Sequence, residues 1–578
     1  MGDDGDDRPA YVLTAARLCF GALTVLALVL GYAGLSTHLD GRTAFQHGPF
    51  DILYYDLQLF VLSSTPLEGR EPVPWTLRVA MFAAPAVTVY ALFEAGRLLF
   101  AAEWRRVRTR RLSRHAIVCG DDAASLILAD RLRARGLRVV RVGQRPQAAD
   151  AGLTTVRGDP QDARSLRAAG IEGASTLYVC GQDSARNIAV ALAATRARHR
   201  SPADLRVFVR VNDPDLCMAF RARRWSQAAA PGPAVDFFSP DELAARVLLR
   251  HHRPVPEGVS SPDVVVSGLT AFGRGVLVET ARQWRAAGGP PARRIRLTVL
   301  DPDARGVLRD LTARYAFLAD TCALTVHDGD LARLLRERAD RGQPPPDRVY
   351  ICQEDNEAAL RTALTTTRLW HGGRRSVVVR LDGLDGVGEA FGNAADGGRL
   401  LDAVGERLHM AGVADLAHDP GVIDEDLTEI VARALHERYV RARAAEGGDP
   451  AGTPSTVPWH ELSPVLKEAN RRQARDIGAK LRTIGCSLAL RDETTAAFQY
   501  REAEIERLSE HEHRRWTAER VAAGWTHGER RDGAARRHPD LVPWERLAED
   551  AREKDRQAVR DIPGLLADVG LGIVRLDG

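Results

Sequence analysis

The alternation of short apolar strands and helical stretches between His115 and Cys180 constrains this chain more than any other feature. The run His115-Ala-Ile-Val-Cys-Gly120 reads as a strand ending in glycine. A helical stretch follows at 123–135, Gly136 stops it, and a second apolar strand occupies 138–142. A third strand ends in Arg157-Gly158-Asp159-Pro160, a helix is predicted over 162–169, and Thr176-Leu-Tyr-Val-Cys180 is a fourth strand. This rhythm means βαβ units and a parallel sheet. The apolar runs are nearly continuous, as strands covered on both faces require. A fifth strand is expected at 205–211.

The same layout returns downstream. Asp263-Val-Val-Val-Ser-Gly268 is a strand into a turn, with Gly273 five residues on, and the next strand, 294–300, ends at Asp301. Thr325-Val-His-Asp-Gly329-Asp330 repeats the Gly-Asp pair, Val349-Tyr-Ile-Cys352 repeats the fourth strand, and 376–381 supplies a fifth. An internal repeat of this length outranks any single motif. It predicts two Rossmann-like modules in tandem, at 115–252 and 263–413, joined by a Pro- and Ser-rich linker at 253–262. With 578 residues, three or four domains are expected.

The residues ahead of the first module are of another kind. After an acidic tail (1–10), residues 11–36 are almost wholly apolar, with Arg17 their only charge, and 77–102 form a second apolar stretch. Each is long enough to cross a hydrocarbon core of ~30 Å. A cleaved signal peptide would have a basic flank and no second span, so two transmembrane helices are predicted. The basic run Trp104-Arg-Arg-Val-Arg-Thr-Arg-Arg-Leu-Ser-Arg114 follows the second. Positive charge of this density marks the cytoplasmic side, held by anionic headgroups. The expectation is a multi-pass protein of the cell membrane, in contact with the lipid bilayer, with the bulk of the chain cytoplasmic. A net charge of +3 argues for no general nucleic-acid affinity. The seven cysteines form no CxxC pair and no metal-ligand spacing, so no metal is expected.

Two stretches carry family resemblances. Gly158-Asp159-Pro160, the helix closing in Ala169-Gly170-Ile171, the strand into Gly181-Gln182-Asp183, and Asn187 resemble the TrkA-N (RCK) nucleotide-binding regulatory domain of potassium channels and transporters. In that family the helix after Asp236-Phe-Phe-Ser-Pro-Asp-Glu-Leu243 crosses to a neighbouring module. The resemblance places the amphipathic segment 50–62, too short to span, where a two-helix potassium channel has its pore helix. The following Ser63-Ser-Thr-Pro-Leu-Glu-Gly69 lacks the Thr-Val-Gly-Tyr-Gly carbonyl ladder, so potassium selectivity is not expected. Glu68 and Glu94 are the pore candidates, and Pro85 is expected to bend the second span. An interfacial helix that merely packs the bundle is the alternative reading of 50–62.

Towards the C-terminus an amphipathic helix is predicted at 424–443, a flexible linker at 444–456 and helices at 459–481, 494–523 and 549–568. His511-Glu512-His513 with Trp516, Gly524-Trp525 with Gly528, Arg531-Asp532, and His538-Pro539 with Leu541-Val542 resemble the ryanodine-receptor repeat (Ryr) domain, at 457–578. The predicted fold class is therefore α/β: two transmembrane helices, two tandem Rossmann-like RCK modules and a mainly α-helical Ryr-type C-terminal domain.

A dinucleotide fingerprint needs glycines for the turn, for backbone approach to pyrophosphate and for helix packing. The first module reads Gly120, Asp122 and Ser125, places two carboxylates at a helix N-terminus, and has Gly143 where an acid would hold ribose. It reads first as a structural or dimerising module, with Gly120, Asp159 and Asp183 as the weaker nucleotide site. The second reads Gly268, Thr270 and Gly273, with Asp301 at the ribose position, Arg274 to neutralise phosphate, and Asp330 in the repeated Gly-Asp. NAD or another adenine nucleotide is expected there. In the Ryr-like region Glu512, Trp516 and Glu519 share a helical spacing, Gly524 is expected to fold Trp525 back, and Arg531 follows. Aromatic faces with guanidinium forks suit a planar anion. The equal alternative is that the tryptophans are core. His511 and His513, two apart on a helix, face different ways, and no catalytic constellation is recognisable.

The reading is a ligand-gated, ion-conducting membrane protein of potassium-channel type, not an enzyme. It is expected to be a homo-oligomer, a tetramer ahead of a dimer, taking a small nucleotide-like ligand. The alternative is a non-conducting or membrane-disrupting nucleotide-triggered defence effector, and an NAD-dependent enzyme comes third.

Overall fold

The protein is described by a computed structural model covering residues 8–40, 48–61, 72–145, 153–198, 205–227, 234–254, 259, 261–287, 294–371, 373, 376–382, 407–445 and 453–576. Its contacts divide it into two units, Met1–Arg108 and Thr109–Gly578.

The first unit contains helices Arg8–Leu39, Pro49–Leu59 and Trp75–Arg110. Leu18–Leu39 and Trp75–Gly96 are 22 residues each, with mean hydropathy 2.1 and 1.5, long and apolar enough to cross a membrane. Ala27, Leu35 and Leu39 meet Ile52 and Leu59 of the short helix and Leu77, Ala80 and Ala84 of the third. The small alanines let the helices approach closely. Val29, Phe82, Val89, Leu92 and Phe93 face outward. Pro85 lies inside a helix that runs on without interruption, and the Thr88 hydroxyl donates to the carbonyl of Phe60 at 2.8 Å. Glu94 lies half-buried in the same helix. Glu68 and the rest of 63–69 lie outside the described residues.

The second unit holds two six-stranded parallel sheets of one topology. The first contains β1 (His115–Cys119), β2 (Val139–Gly143), β3 (Thr154–Arg157), β4 (Ala174–Val179), β5 (Arg206–Arg210) and β6 (Ala234–Phe238), in the order β3-β2-β1-β4-β5-β6. The second contains β7 (Asp263–Ser267), β8 (Ile295–Leu300), β9 (Cys322–Val326), β10 (Arg348–Ile351), β11 (Val377–Arg380) and β12 (Leu408–Ala411), in the order β9-β8-β7-β10-β11-β12. Each order reverses at its first strand, which leaves a crevice beyond the carboxyl ends of β1 and β4, and of β7 and β10. The sixth strand of each sheet was not among the predicted five. β6 and β12 are edge strands with polar residues (Asp236, His409) that break the apolar run.

Helix Pro240–His251, entered from β6, packs its buried Leu243, Ala244 and Leu248 into one continuous core. That core joins Val118, Tyr178 and Phe208 of the first sheet to Val264 of the second and to Phe272 and Val276 of the helix after it, Ala271–Ala286. The crossover therefore reaches the neighbouring module of the same chain.

After a connecting helix (Leu427–Ala445), the C-terminal region packs helices Pro464–Thr483, Glu502–Ala522, Glu549–Arg560 and Ile562–Asp568 around two antiparallel strands, Cys486–Leu490 and Leu571–Arg575. Three sequence expectations are corrected here. The first helix starts at Pro464, capped by the Ser463 hydroxyl, and not at 459. The stretch 494–523 is two helices, broken at 497–501, and 549–568 breaks at Asp561, where Pro563 cannot donate to the preceding turn. The strand pair was not predicted, because its partners lie some eighty residues apart in sequence and neither signals alone. The region docks on helix Pro214–Ser226, with the Leu488 amide donating to the Ser226 hydroxyl at 3.0 Å.

Candidate functional site

In the second module the β7 turn is built from the residues that the fingerprint requires. Gly268 lies at φ 95°, a left-handed conformation that side chains disfavour, and a Cβ there would press on the Cys352 carbonyl at the end of β10. Gly273, in the first turn of helix Ala271–Ala286, has no room for a side chain, which would collide with the Gly268 carbonyl. The helix thus sits directly on the strand end. Thr270 caps it, its hydroxyl accepting from the Gly273 amide at 3.2 Å and donating to the Cys352 carbonyl at 2.7 Å. Asp301, past the end of β8, accepts from the Leu269 amide at 2.7 Å and from the Asp303 amide at 2.9 Å. One carboxylate oxygen thus steadies the turn and the other holds its own loop. Asp330 caps helix Leu331–Asp340 beyond β9.

Gly268, Thr270, Gly273 and Asp301 are therefore brought together at the crevice. Arg274 is not among them. Its guanidinium lies 3.8 Å from Asp215 and lines another cavity, with Arg314, Arg246 and Tyr315. One residue further along the helix, that side chain leaves on a different face.

In the first module the corresponding crevice is filled by its own side chains. Asp121 accepts from the amides of Gln144 at 3.1 Å and Arg145 at 3.3 Å, and a Cβ on Gly143 would strike its carboxylate. The fully buried Arg141 donates to the carbonyls of Gly120 at 2.8 Å and Arg145 at 3.0 Å. Asp122 caps helix Ala123–Ala134 and pairs with Arg210 at 2.9 Å. Asp159 and Asp183 meet through Arg186, whose guanidinium reaches Asp159 at 3.0 Å while its amide donates to Asp183 at 2.9 Å. The Asp159 carboxyl is held below its usual range by the Gln161 amide and by that guanidinium. Arg141, Arg186 and Arg210 were not read from the sequence, since each meets its carboxylate across the sheet.

In the C-terminal region helix Glu502–Ala522 brings the predicted set, on one side of the helix, against two sets of partners. Glu512 is buried against Lys480 and Arg515, and Glu519 pairs with Arg515 at 2.9 Å and Arg472 at 3.5 Å, so both face helix Pro464–Thr483. Glu512 stays below the usual carboxylate range, because these cations outweigh its burial. Trp516, one turn after Glu512, leans instead to the flank of His513 and Arg520, edge-on to His538 at 5.0 Å and 6.0 Å from His513. The helix ends at Ala522, Gly524 turns at φ 81°, and the Trp525 amide returns to the Arg520 carbonyl at 2.9 Å. Trp525 then lies 6.3 Å from His538, and the Arg520 guanidinium spans both indoles, 5.6 Å from Trp516 and 5.2 Å from Trp525. Trp544 joins through His513 at 5.8 Å. Trp516, Trp525 and Trp544 all remain partly accessible and stand outside the buried core of the region. Arg531 is exposed, with its charge depressing protonation of His538 after the larger effect of burial. Arg520, His513 and His538 were missed as members of this set. Helical spacing from Trp516 was the available signal for His513 and Arg520, whereas His538 arrives from the strand Arg537–His538 and gave none.

His511 and His513 do face different ways: His511 reaches Asp476 at 3.0 Å, whereas His513 reaches Asp555 at 3.3 Å and the Val542 carbonyl at 2.7 Å.

The TrkA-N domain model matches residues 116–230, and the RyR domain model matches residues 498–575. Among solved structures, the chain is similar to GsuK bound to ADP (15% identity over 73% of this chain and 100% of that one, TM-score 0.36). It is also similar to the GsuK channel bound to NAD (12% identity, 87% and 91%, TM-score 0.35). A chain of dipicolinate synthase from Bacillus subtilis matches at 12% identity over 59% of this chain and 99% of that one, with a TM-score of 0.20. The chain thus carries a TrkA-N domain, a second parallel sheet of the same strand order, and a RyR domain at its C-terminal end.

Proposed function

We propose that this chain is a ligand-gated, ion-conducting membrane protein in which an adenine nucleotide, NAD or a relative, binds the second module. The observation that carries the reading is the β7 turn, with Gly268, Thr270 and Gly273 at a helix N-terminus and Asp301 beside them. A helix N-terminus with close backbone approach favours phosphate, and a carboxylate at the end of the next strand accepts ribose hydroxyls. The two span-length helices bracketing Pro49–Leu59 supply a membrane unit, with the bilayer against its outward apolar residues and the bulk of the chain in the cytoplasm. Several copies, a tetramer ahead of a dimer, would enclose a path, with Glu68 and Glu94 as its charged lining.

Helix Trp75–Arg110 ends only four residues, 111–114, before β1, so a change in module packing has a short covalent route to the second span. The RyR domain adds a second ligand surface at Trp516 and Trp525, bridged by Arg520, with Arg531 nearby. Stacking there is worth ~1–3 kcal/mol per base. No residue of either surface is assigned a catalytic role. The absent carbonyl ladder at 63–69 favours one other reading, a nucleotide-triggered effector that disrupts the bilayer without selective conduction.

Planar-bilayer recording of the full-length protein with and without NAD and ADP tests the proposal. Discrete nucleotide-dependent currents are expected. Leakage of vesicle-entrapped dye without unitary currents would favour the effector, and neither response would overturn both readings.

A further inference from the structure

Where the connecting helix Leu427–Ala445 passes between the second module and the RyR domain, a cleft of about 590 Å³ opens. That is within the size range of small-ligand sites. Its wall includes Arg285 from the second module, Arg438 and Arg441 from the connecting helix, and Gln473 from helix Pro464–Thr483. The three arginines converge on one carboxylate, that of Asp568, the last residue of helix Ile562–Asp568. Arg285 reaches it at 2.7 Å, Arg438 at 3.2 Å and Arg441 at 3.4 Å. Asp568 is the one carboxylate within ion-pair distance of all three; Asp561 lies 4.0 Å from Arg438, Glu437 acts on Arg441 from the same helix, and Lys480 and Glu512 elsewhere on the wall pair with each other, so the three guanidiniums share few acceptors. Guanidinium forks match phosphate oxygens as well as carboxylates, and a diphosphate offers more acceptors than one aspartate. Arg441 is harder to keep protonated than an ordinary arginine, first because it is partly buried and then because Arg285 is near, so a further anion would relieve it.

We propose that this cleft binds a diphosphate-bearing ligand of nucleotide size, whose phosphates take the guanidiniums of Arg285, Arg438 and Arg441 in place of Asp568. This site is separate from the β7 turn and from the tryptophan surface, and it does not depend on either. Asp568 is then an internal stand-in for the ligand. Its release would free the end of helix Ile562–Asp568, which leads directly into strand Leu571–Arg575 of the RyR domain.

The test is calorimetric titration of inorganic pyrophosphate and of ADP into the full-length protein in detergent, on a background of Gly273→Val with Arg520→Ala and Trp525→Ala, which disables the two surfaces above. Saturable binding of both is expected, weakened at least tenfold by Arg438→Gln with Arg441→Gln and tightened by Asp568→Asn. Because these variants also remove ion pairs, a second measurement uses the unmodified arginines. Pyrophosphate should protect Arg438 and Arg441 from phenylglyoxal, read by peptide mass. Absence of pyrophosphate binding on that background, equal affinity in the double-glutamine variant, or modification of both arginines at the same rate with and without pyrophosphate would each overturn the proposal.

Discussion

Asp301 and His513 show how single side chains divide the molecule's tasks. Asp301 keeps accepting capacity beside a helix N-terminus, whereas Asp121 and Asp122 in the first module are already neutralised by Arg141 and Arg210. Asp301→Ala should therefore weaken NAD or ADP binding by tenfold or more, while Gly120→Trp should leave it unchanged. Calorimetry giving the opposite order would reassign the site to the first module. His513 carries a pH dependence. Burial opposes its protonation, but Asp555, the Val542 carbonyl and Asp540 together raise its pKa above the ordinary value. A raised histidine contributes stability that is fully present below the unfolded-chain value of about 6.5 and is lost as pH rises through the folded value. His538, lowered by burial, acts below pH 6.5 and in the opposite sense, so the window above 6.5 isolates His513. Melting of the RyR domain should fall as pH rises through that window, and Asp555→Asn should flatten the dependence.

At the scale of elements, the decisive contact is helix Ala271–Ala286 against the β7 turn. A side chain at Gly273 would have to push the helix off the Gly268 carbonyl. Overpacking of this kind costs about 1–3 kcal/mol. Gly273→Val should lower the melting temperature and, by displacing the helix N-terminus, abolish nucleotide binding even if the module stays folded. Gly373→Ala, in open space and outside the left-handed region of backbone conformation, should leave nucleotide binding unchanged and serves as the control.

For the whole molecule, the crossover helix Pro240–His251 makes one core of two sheets. Leu248, fully buried in that core, should cost about 2–5 kcal/mol when cut to alanine. The two sheets should then melt in one transition, before and after the substitution. Two resolved calorimetric transitions would show that the modules unfold independently. The unit with the two span-length helices carries its own prediction. Without a carbonyl ladder, any current should discriminate poorly between potassium and sodium, with a bi-ionic reversal potential near zero. A strongly potassium-selective reversal potential would show that 63–69 forms a filter by another route.

Most of the architecture was legible in the sequence, because strand and helix periods and the glycine stops are local properties. His115 to Cys180 and its repeat announced two parallel sheets, 11–36 and 77–102 announced two helices of span length, and the offsets around Trp516 announced the RyR domain. The edge strands β6 and β12 and the pair Cys486–Leu490 with Leu571–Arg575 were not legible, since a strand with mixed polarity is defined by the partner it finds. Nor could spacing alone tell which neighbour each side chain would meet. Glu512, Trp516 and Glu519 share a helix side, yet Lys480, Arg472 and Arg515 take the two carboxylates while His513, His538 and Arg520 take the indole. Arg274 follows Gly273 and leaves the crevice for Asp215. Asp568 meets Arg285, Arg438 and Arg441 from well over a hundred residues away. Local sequence determined the elements. Only tertiary packing decided the pairing of opposite charges, because a salt bridge depends on distance in space, which the order of residues along the chain does not contain.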